Sequence, residues 1–299
     1  MKQAKRKIEN LNLLDDFLFY EVVSAEKGED FCRLLLQTVC GKKVENIRIC
    51  PQKIVQGADT GYHGIRMDLY VNDEGRCLYD IEPDKYTSRD ALPRRNRYYR
   101  ALLDGKLLDT GTDFAHLPDL WTVFILPHDP FGRDRMCYTV RNRILEEPDI
   151  EYRDGAVSLF LYTKGRQGGN KTLSQLLRYI EDSVEENATT KELKALHNYV
   201  TEIKHRKEVG VRYMKSWELE QMWRREARIE GLAEGRAEGR KKGCIEGRIQ
   251  SVIELLEYKG QIPDDLRERI IHEKNPEFVR RWLKLAAMSE SIEQFEEKM

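Results

Sequence analysis

The chain has 299 residues, enough for one large domain or two modest ones, and 40% of them are apolar, so a substantial core can form. Charged residues make up 34%, but 51 Lys and Arg meet 52 Asp and Glu. The net charge of −1 excludes a general electrostatic attraction to nucleic acid and confines any basic patch to a local cluster. No apolar run approaches the roughly 20 residues that cross a bilayer, and the basic N-terminus runs at once into Asp15-Asp16 without an apolar segment or cleavage site. The six cysteines are far apart and form no CxxC pair, and the histidines are scattered. These features predict a cytoplasmic protein with buried, reduced thiols, no zinc and no membrane partner.

In chain order, residues 13–40 read as two helices. Asp15 or Asp16 can cap the first, which carries Phe17, Phe19, Tyr20 and Val23, and Gly41 stops the second, where Phe31, Leu34, Leu35 and Val39 recur at helical spacing. Val44–Val55 is extended and broken at Pro51. Ile65–Val71 and Arg76–Lys85 alternate like two strands of a hairpin joined by Asn72-Asp73-Glu74-Gly75. Thr87–Leu108 is helical with Ser88 as its cap, and Leu120–Leu126 (LWTVFIL) suits a strand buried on both faces. Cys137–Val140 and Val157–Thr163 are further strands. This order predicts an α/β core with a mixed sheet over residues 1–165.

After the Gly-rich stretch at 165–170 no strand signal returns. Residues 166–229 read as a helical extension with leucine spacing at 173, 176 and 177 and again at 193 and 196. Residues 230–299 hold a repeat with glycine at 231, 235, 239, 243 and 247, followed by short helices that include Ile249–Tyr258 and Pro276–Met288. In a helix the repeat makes a ridge without side chains, flanked by Glu and Arg or Lys, and each glycine costs roughly 1 kcal/mol relative to alanine. It is either a charged spacer or a helix that pairs, which makes a homo-oligomer through the C-terminal helices one expectation.

The hairpin carries the candidate chemistry. Cys77, Tyr79 and Ile81 form one face of its second strand, and Asp80 and Glu82 the other. Asp68 shares their face only if the connection has an odd length or a bulge, because a plain loop at 72–75 sets it opposite. Carboxylates on one face are either simply solvated or hold a cation, and hard oxygen donors suit Mg²⁺ or Mn²⁺. Pro83 lacks an N–H and is expected to end strand pairing, delivering Asp84 and Lys85 at the strand's mouth. Arg94, Arg95, Arg97 and Arg100 then crowd the start of a helix, interleaved with Tyr98 and Tyr99. Cations there oppose the helix dipole, so they fit either phosphate contacts or ion pairs with Asp84, Asp90 and Asp104. Phe131-Gly-Arg-Asp-Arg135 is a second, weaker basic loop.

In order, the DDFLFYEVV segment, the Asp68…Glu82 hairpin, LPRRNRYYRALLD and WTVFILP resemble the recombination-promoting nuclease/putative transposase family of the PD-(D/E)xK nuclease superfamily, over roughly residues 10–165. The glycine–glutamate repeat is similar to tails common in that family. The resemblance implies a restriction-endonuclease-like core with a central mixed sheet flanked by helices, followed by an all-α C-terminal extension. It also implies an Mg²⁺-dependent (or Mn²⁺-dependent) DNA endonuclease linked to recombination or mobile elements, with Asp68 and Glu82 as metal ligands. Lys85 and Asp84 complete the implied catalytic group, and Arg94, Arg95, Arg97 and Tyr98 would contact DNA. The first helix would add an acid, Asp16 or Glu21. The sequence departs from the pattern where Asp84 stands at the usual lysine position and Lys85 follows one place later. That departure motivates the alternative of a catalytically degenerate nuclease-fold protein that binds DNA or assembles with itself.

Overall fold

The structure, a computed structural model, describes residues 7–41, 47–51, 54–55, 65–66, 69–73, 77–108 and 111–299. The chain divides into two compact units, Met1–Ser216 and Trp217–Met299. No helix among the described residues is long and apolar enough to cross a membrane.

The first unit is α/β: a mixed sheet flanked by helices. It opens with α1 (Asp16–Ser24) and α2 (Gly28–Cys40). Gly28 permits the tight turn between them, since a Cβ there would lie 2.1 Å from the Val23 carbonyl oxygen. Gly41 ends α2 in the left-handed region at φ 66°, as the sequence predicts. The strands are β1 (Ile47–Pro51), β2 (Ile54–Val55), β3 (Ile65–Arg66), β4 (Leu69–Asp73), β5 (Cys77–Pro83), β6 (Asp119–Leu126), β7 (Cys137–Val140) and β8 (Ala156–Tyr162), with α3 (Leu92–Leu107) between β5 and β6. Six strands form one sheet in the order β1-β4-β5-β6-β8-β7. The pairs β5–β6 and β6–β8 are parallel, and the remaining pairs are antiparallel. The predicted strand Ile65–Val71 is divided: β3 pairs with β2 in a separate ribbon and β4 joins the main sheet.

Side-chain parity organises the sheet. Odd-numbered residues of β5, β6 and β8, among them Tyr79, Ile81, Val123, Ile125 and Leu159, face the principal core with α1 and α2. Even-numbered residues face α3, where Leu78 and Leu120 meet Leu103, and Phe124 and Phe160 meet Leu92. The predicted α3 start at Thr87 is too early. The helix begins at Leu92 with Pro93 in its first turn, and Ser88 Oγ accepts from Ala91 N ahead of it.

The sequence boundary at 165 does not separate two folding units. Helices α4 (Lys171–Glu181) and α5 (Lys191–His205) lay Leu173, Leu177, Ile180, Leu196, Val200 and Ile203 into the same core as α1 and α2. The odd face of the sheet is apolar along its length, and the leucine stripes of α4 and α5 help to cover it.

Helix α6 (Lys207–Glu257) runs through the boundary at 229 and through all five repeat glycines, so the expected separate helix Ile249–Tyr258 is its C-terminal end. In the second unit its last turns pack with α7 (Asp264–Ile271), α8 (Pro276–Met288) and α9 (Ile292–Lys298) around Val252, Leu256, Leu266, Val279, Trp282 and Phe295. The cysteines only partly match the expected burial: Cys32 is buried and desolvation pushes its thiol up, but Cys50 and Cys244 are exposed.

A buried polar row crosses the α3 face of the sheet, where Asp80, Thr122 and Ser158 stand side by side in register. Asn96 of α3 closes over two of them: Thr122 Oγ1 donates to Asn96 Oδ1 at 2.6 Å, and Asn96 Nδ2 donates to Ser158 Oγ at 2.8 Å. Asn96→Ala removes these partners and is expected to lower stability by about 1–3 kcal/mol in urea unfolding. A change below about 0.5 kcal/mol, typical of surface substitutions, would show that the row does not depend on Asn96.

Candidate functional site

The site forms where β5 ends. Alternation places Asp80 and Glu82 on the α3 face, and both are fully buried rather than solvated. The hairpin register has the odd connection that a shared face demands: Val71 pairs with Tyr79 and Asp73 with Cys77, leaving three residues between the last paired positions. Pro83 is the last residue of β5 and still pairs, so pairing with β6 runs one place past Glu82, where the sequence expectation ends it. It sits opposite Ile125, and Asp84 N donates to Ile125 O at 2.9 Å. Successive N–H groups of a strand point to opposite neighbours, so the N–H that proline lacks would have faced β4, and the ladder to β6 continues.

Arg95 ties the acids together. Its Nη2 donates to Glu82 Oε2 at 3.0 Å and to Tyr99 Oη at 2.8 Å, and its Nη1 donates to Asp84 Oδ2 at 2.6 Å and to Thr87 Oγ1 at 2.7 Å. The guanidinium also lies 4.9 Å from the Tyr99 ring centre. Tyr86 N and Thr87 N donate to Asp84 Oδ1 at 3.0 and 2.9 Å, so Asp84 builds the turn that leads into α3. Burial pushes the Asp84 carboxyl up, but bonds from Thr87 and the charge of Arg95 outweigh it and hold the group below the usual range. Burial and the Glu82 charge raise the Tyr99 phenol to about 12.

Lys85 turns the other way and forms an ion pair with Asp15. Asp15 stands at the N-cap of α1 but makes no side-chain capping bond; its carboxylate accepts from Lys85 and from Asn12 N instead. Asp16 keeps a solvent-facing side. The protein packed around it pushes its carboxyl up, Lys85 opposes this, and Asp15 and Asp84 add to it. Asp16, Lys85 and Asp84 therefore share one electrostatic cluster. Glu21, the other first-helix candidate, lies elsewhere and accepts two bonds from Arg212, at 2.8 and 2.6 Å.

Asp68 lies outside the described residues. Arg94 and Arg97 are exposed on the first turns of α3, and Tyr98 is 37% exposed, whereas Arg95 points inward. The loop after β6 reaches the same end of the sheet. There the Asp129 carboxylate accepts from the backbone of Phe131, Gly132 and Asp134 and from Tyr138 Oη, which leaves Arg133 and Arg135 exposed. An open cleft of about 500 Å³ lined by Trp121, Arg141 and Asp154 lies at the opposite end of β6.

Carboxylate oxygens are hard donors of the class that suits Mg²⁺ or Mn²⁺. Those of Asp84 are committed to the turn and to Arg95, and one oxygen of Glu82 is shared with Arg95. Among the described residues, no group of three or more His, Cys, Asp and Glu is arranged to hold a metal.

Neither Thr87 nor Asn96 stands out in the sequence as a member of this region. Tyr99 does carry a signal, since Arg95 and Tyr99 are four residues apart and share one helix face. Compared with known proteins, the chain matches no family model, and no curated protein or solved structure matches it at a significant level.

The two shifted carboxyls predict opposite stability effects. The lowered Asp84 stabilises the fold at pH values above the ordinary carboxylate pKa of about 3.9, and that contribution is lost as the pH falls through its depressed folded value. Asp84→Asn is expected to cost about 2 kcal/mol at pH 7 and less in acid. Asp16 has a raised value, so its ionised form costs stability at neutral pH, and Asp16→Asn should raise the melting temperature at pH 7. Melting curves at neutral and acidic pH check both signs.

Proposed function

We propose that the chain is a divalent-metal-dependent DNA endonuclease with a restriction-endonuclease-like core, acting on DNA in recombination or mobile-element movement. The observation that carries this reading is convergence. An acid from the start of the first helix, Asp16, one from β5, Glu82, and one from the turn just beyond it, Asp84, reach the end of the sheet where Arg94, Arg97, Arg133 and Arg135 are exposed. Ligands of open α/β sheets bind beyond the carboxyl ends of strands, and this end combines buried carboxylates with surface cations. The hairpin register supports the reading because residues of like parity pair across it, as a two-acid site on Asp68 and Glu82 requires. A bound Mg²⁺ or Mn²⁺ would supply water activation and neutralise charge on a phosphate oxygen, and Asp68 and Glu82 are the residues proposed to hold it. Arg95 fixes the Glu82 and Asp84 carboxylates, Lys85 brings positive charge beside Asp16, and Arg94, Arg97 and Tyr98 face solvent for backbone contact with DNA.

A second reading has one observation in its favour. Arg95 already supplies a fixed cation between Glu82 and Asp84, and Asp84, at the usual lysine position, is bound into a turn. This favours a catalytically degenerate protein that binds DNA without cutting it.

With Mg²⁺ or Mn²⁺ the purified chain is expected to nick supercoiled plasmid, and Asp68→Ala and Glu82→Ala are each expected to abolish nicking. Cutting that survives both substitutions would sink the site assignment. DNA binding with steep salt dependence and no cleavage under either metal would select the second reading. In either case Arg94→Ala with Arg97→Ala should weaken DNA binding and reduce the salt slope by about 1 for each phosphate no longer neutralised.

A further inference from the structure

Within α6 every residue from 222 to 244 is exposed. A Cβ added at Gly231, Gly235, Gly239, Gly243 or Gly247 would meet nothing within 4 Å. Each of these glycines costs a helix about 1 kcal/mol relative to alanine, and a helix draws most of its stability from packing of a face. Large apolar side chains are left outward on the same stretch: Met222 is 51% exposed, Ile229 57% and Leu232 53%. The glycine row is open to close approach, and the charge pattern beside it identifies what fits there.

Neighbouring residues of a helix stand about 100° apart. One place before the glycines come Glu230, Glu234, Glu238 and Glu246, with Lys242 interrupting. One place after come Leu232, Arg236, Arg240, Cys244 and Arg248. The glycine row therefore has an acidic flank on one side and a basic flank on the other. Two copies related by a two-fold axis along the helices set the acidic flank of each beside the basic flank of the other. A two-fold axis across the helices sets like charge beside like charge. We propose that residues 222–248 form a parallel self-association helix, in which a second copy of this chain packs on the glycine row and pairs Glu234 and Glu238 with Arg236 and Arg240 across the interface. Rows of four-residue spacing are inclined to the helix axis, so the copies cross at roughly −50°, near Gly239.

Full-length protein is expected to be dimeric by light scattering coupled to gel filtration. Gly239→Leu improves helix propensity but blocks the close approach, so it should give a monomer with undiminished helical circular dichroism. Arg236→Glu with Arg240→Glu should also give a monomer, and adding Glu234→Arg with Glu238→Arg to the same chain should restore the dimer. Nitroxide labels placed singly at Cys244 and at Glu226→Cys should both report short distances in the dimer, with the other cysteines replaced. A monomeric full-length chain, a dimer that survives Gly239→Leu, or a short distance at only one label would overturn the proposal.

Discussion

Two carboxylates taken almost completely out of water, Glu82 and Asp84, would each cost several kcal/mol if no cation met them, and Arg95 meets both. Its planar fork reaches one acid near the end of β5 and the other in the loop beyond, and two more of its donors go to Thr87 and Tyr99. That single side chain joins the end of β5 to the start of α3. The turn at Asp84, the delayed start of α3 at Leu92 and the orientation of Tyr99 are all geometrically tied to the same guanidinium. Lysine would not substitute, because a point charge cannot satisfy two acids and two hydroxyl oxygens in one plane.

The second constraint is that both faces of the sheet are covered. Odd residues of β5, β6 and β8 go to the main core and even residues go beneath α3, so an acid on the even side must be buried as well. Hence Asp80 and Glu82 lie in a polar region that runs on through Thr122, Ser158 and Asn96. The surface around it adds exposed arginines from α3 and from the loop after β6. Asp16 belongs to the same arrangement. Desolvation raises its carboxyl above the usual range, so its ionised form lowers stability at neutral pH.

The sequence made the strand faces and most element identities legible, because periods of 2 and 3.6 are local properties. Gly41 as a helix stop, the alternation of β5 and the buried run of β6 could all be read directly. The start of α3 could not, because Asp84 organises the turn between β5 and Leu92 through bonds that no local pattern announces. A boundary at 165 set α4 and α5 apart from the sheet because a leucine stripe shows that a helix has an apolar face but not what the face packs against. The continuity of α6 was equally illegible, since five glycines weaken a helix without specifying where it breaks.

What the sequence determined by itself is the inventory: two acids and a lysine at the end of a strand, an arginine cluster after it, and a charged glycine repeat near the C-terminus. Tertiary structure decided their partners. It joined Arg95 to Glu82 and Asp84 and sent Lys85 to Asp15. It also brought Asp16 into the cluster and committed Glu21 to Arg212. The physical reason is that hydrophobic periodicity acts along the chain, whereas an ion pair depends on distances between residues many positions apart, which exist only once the sheet and its helices have packed.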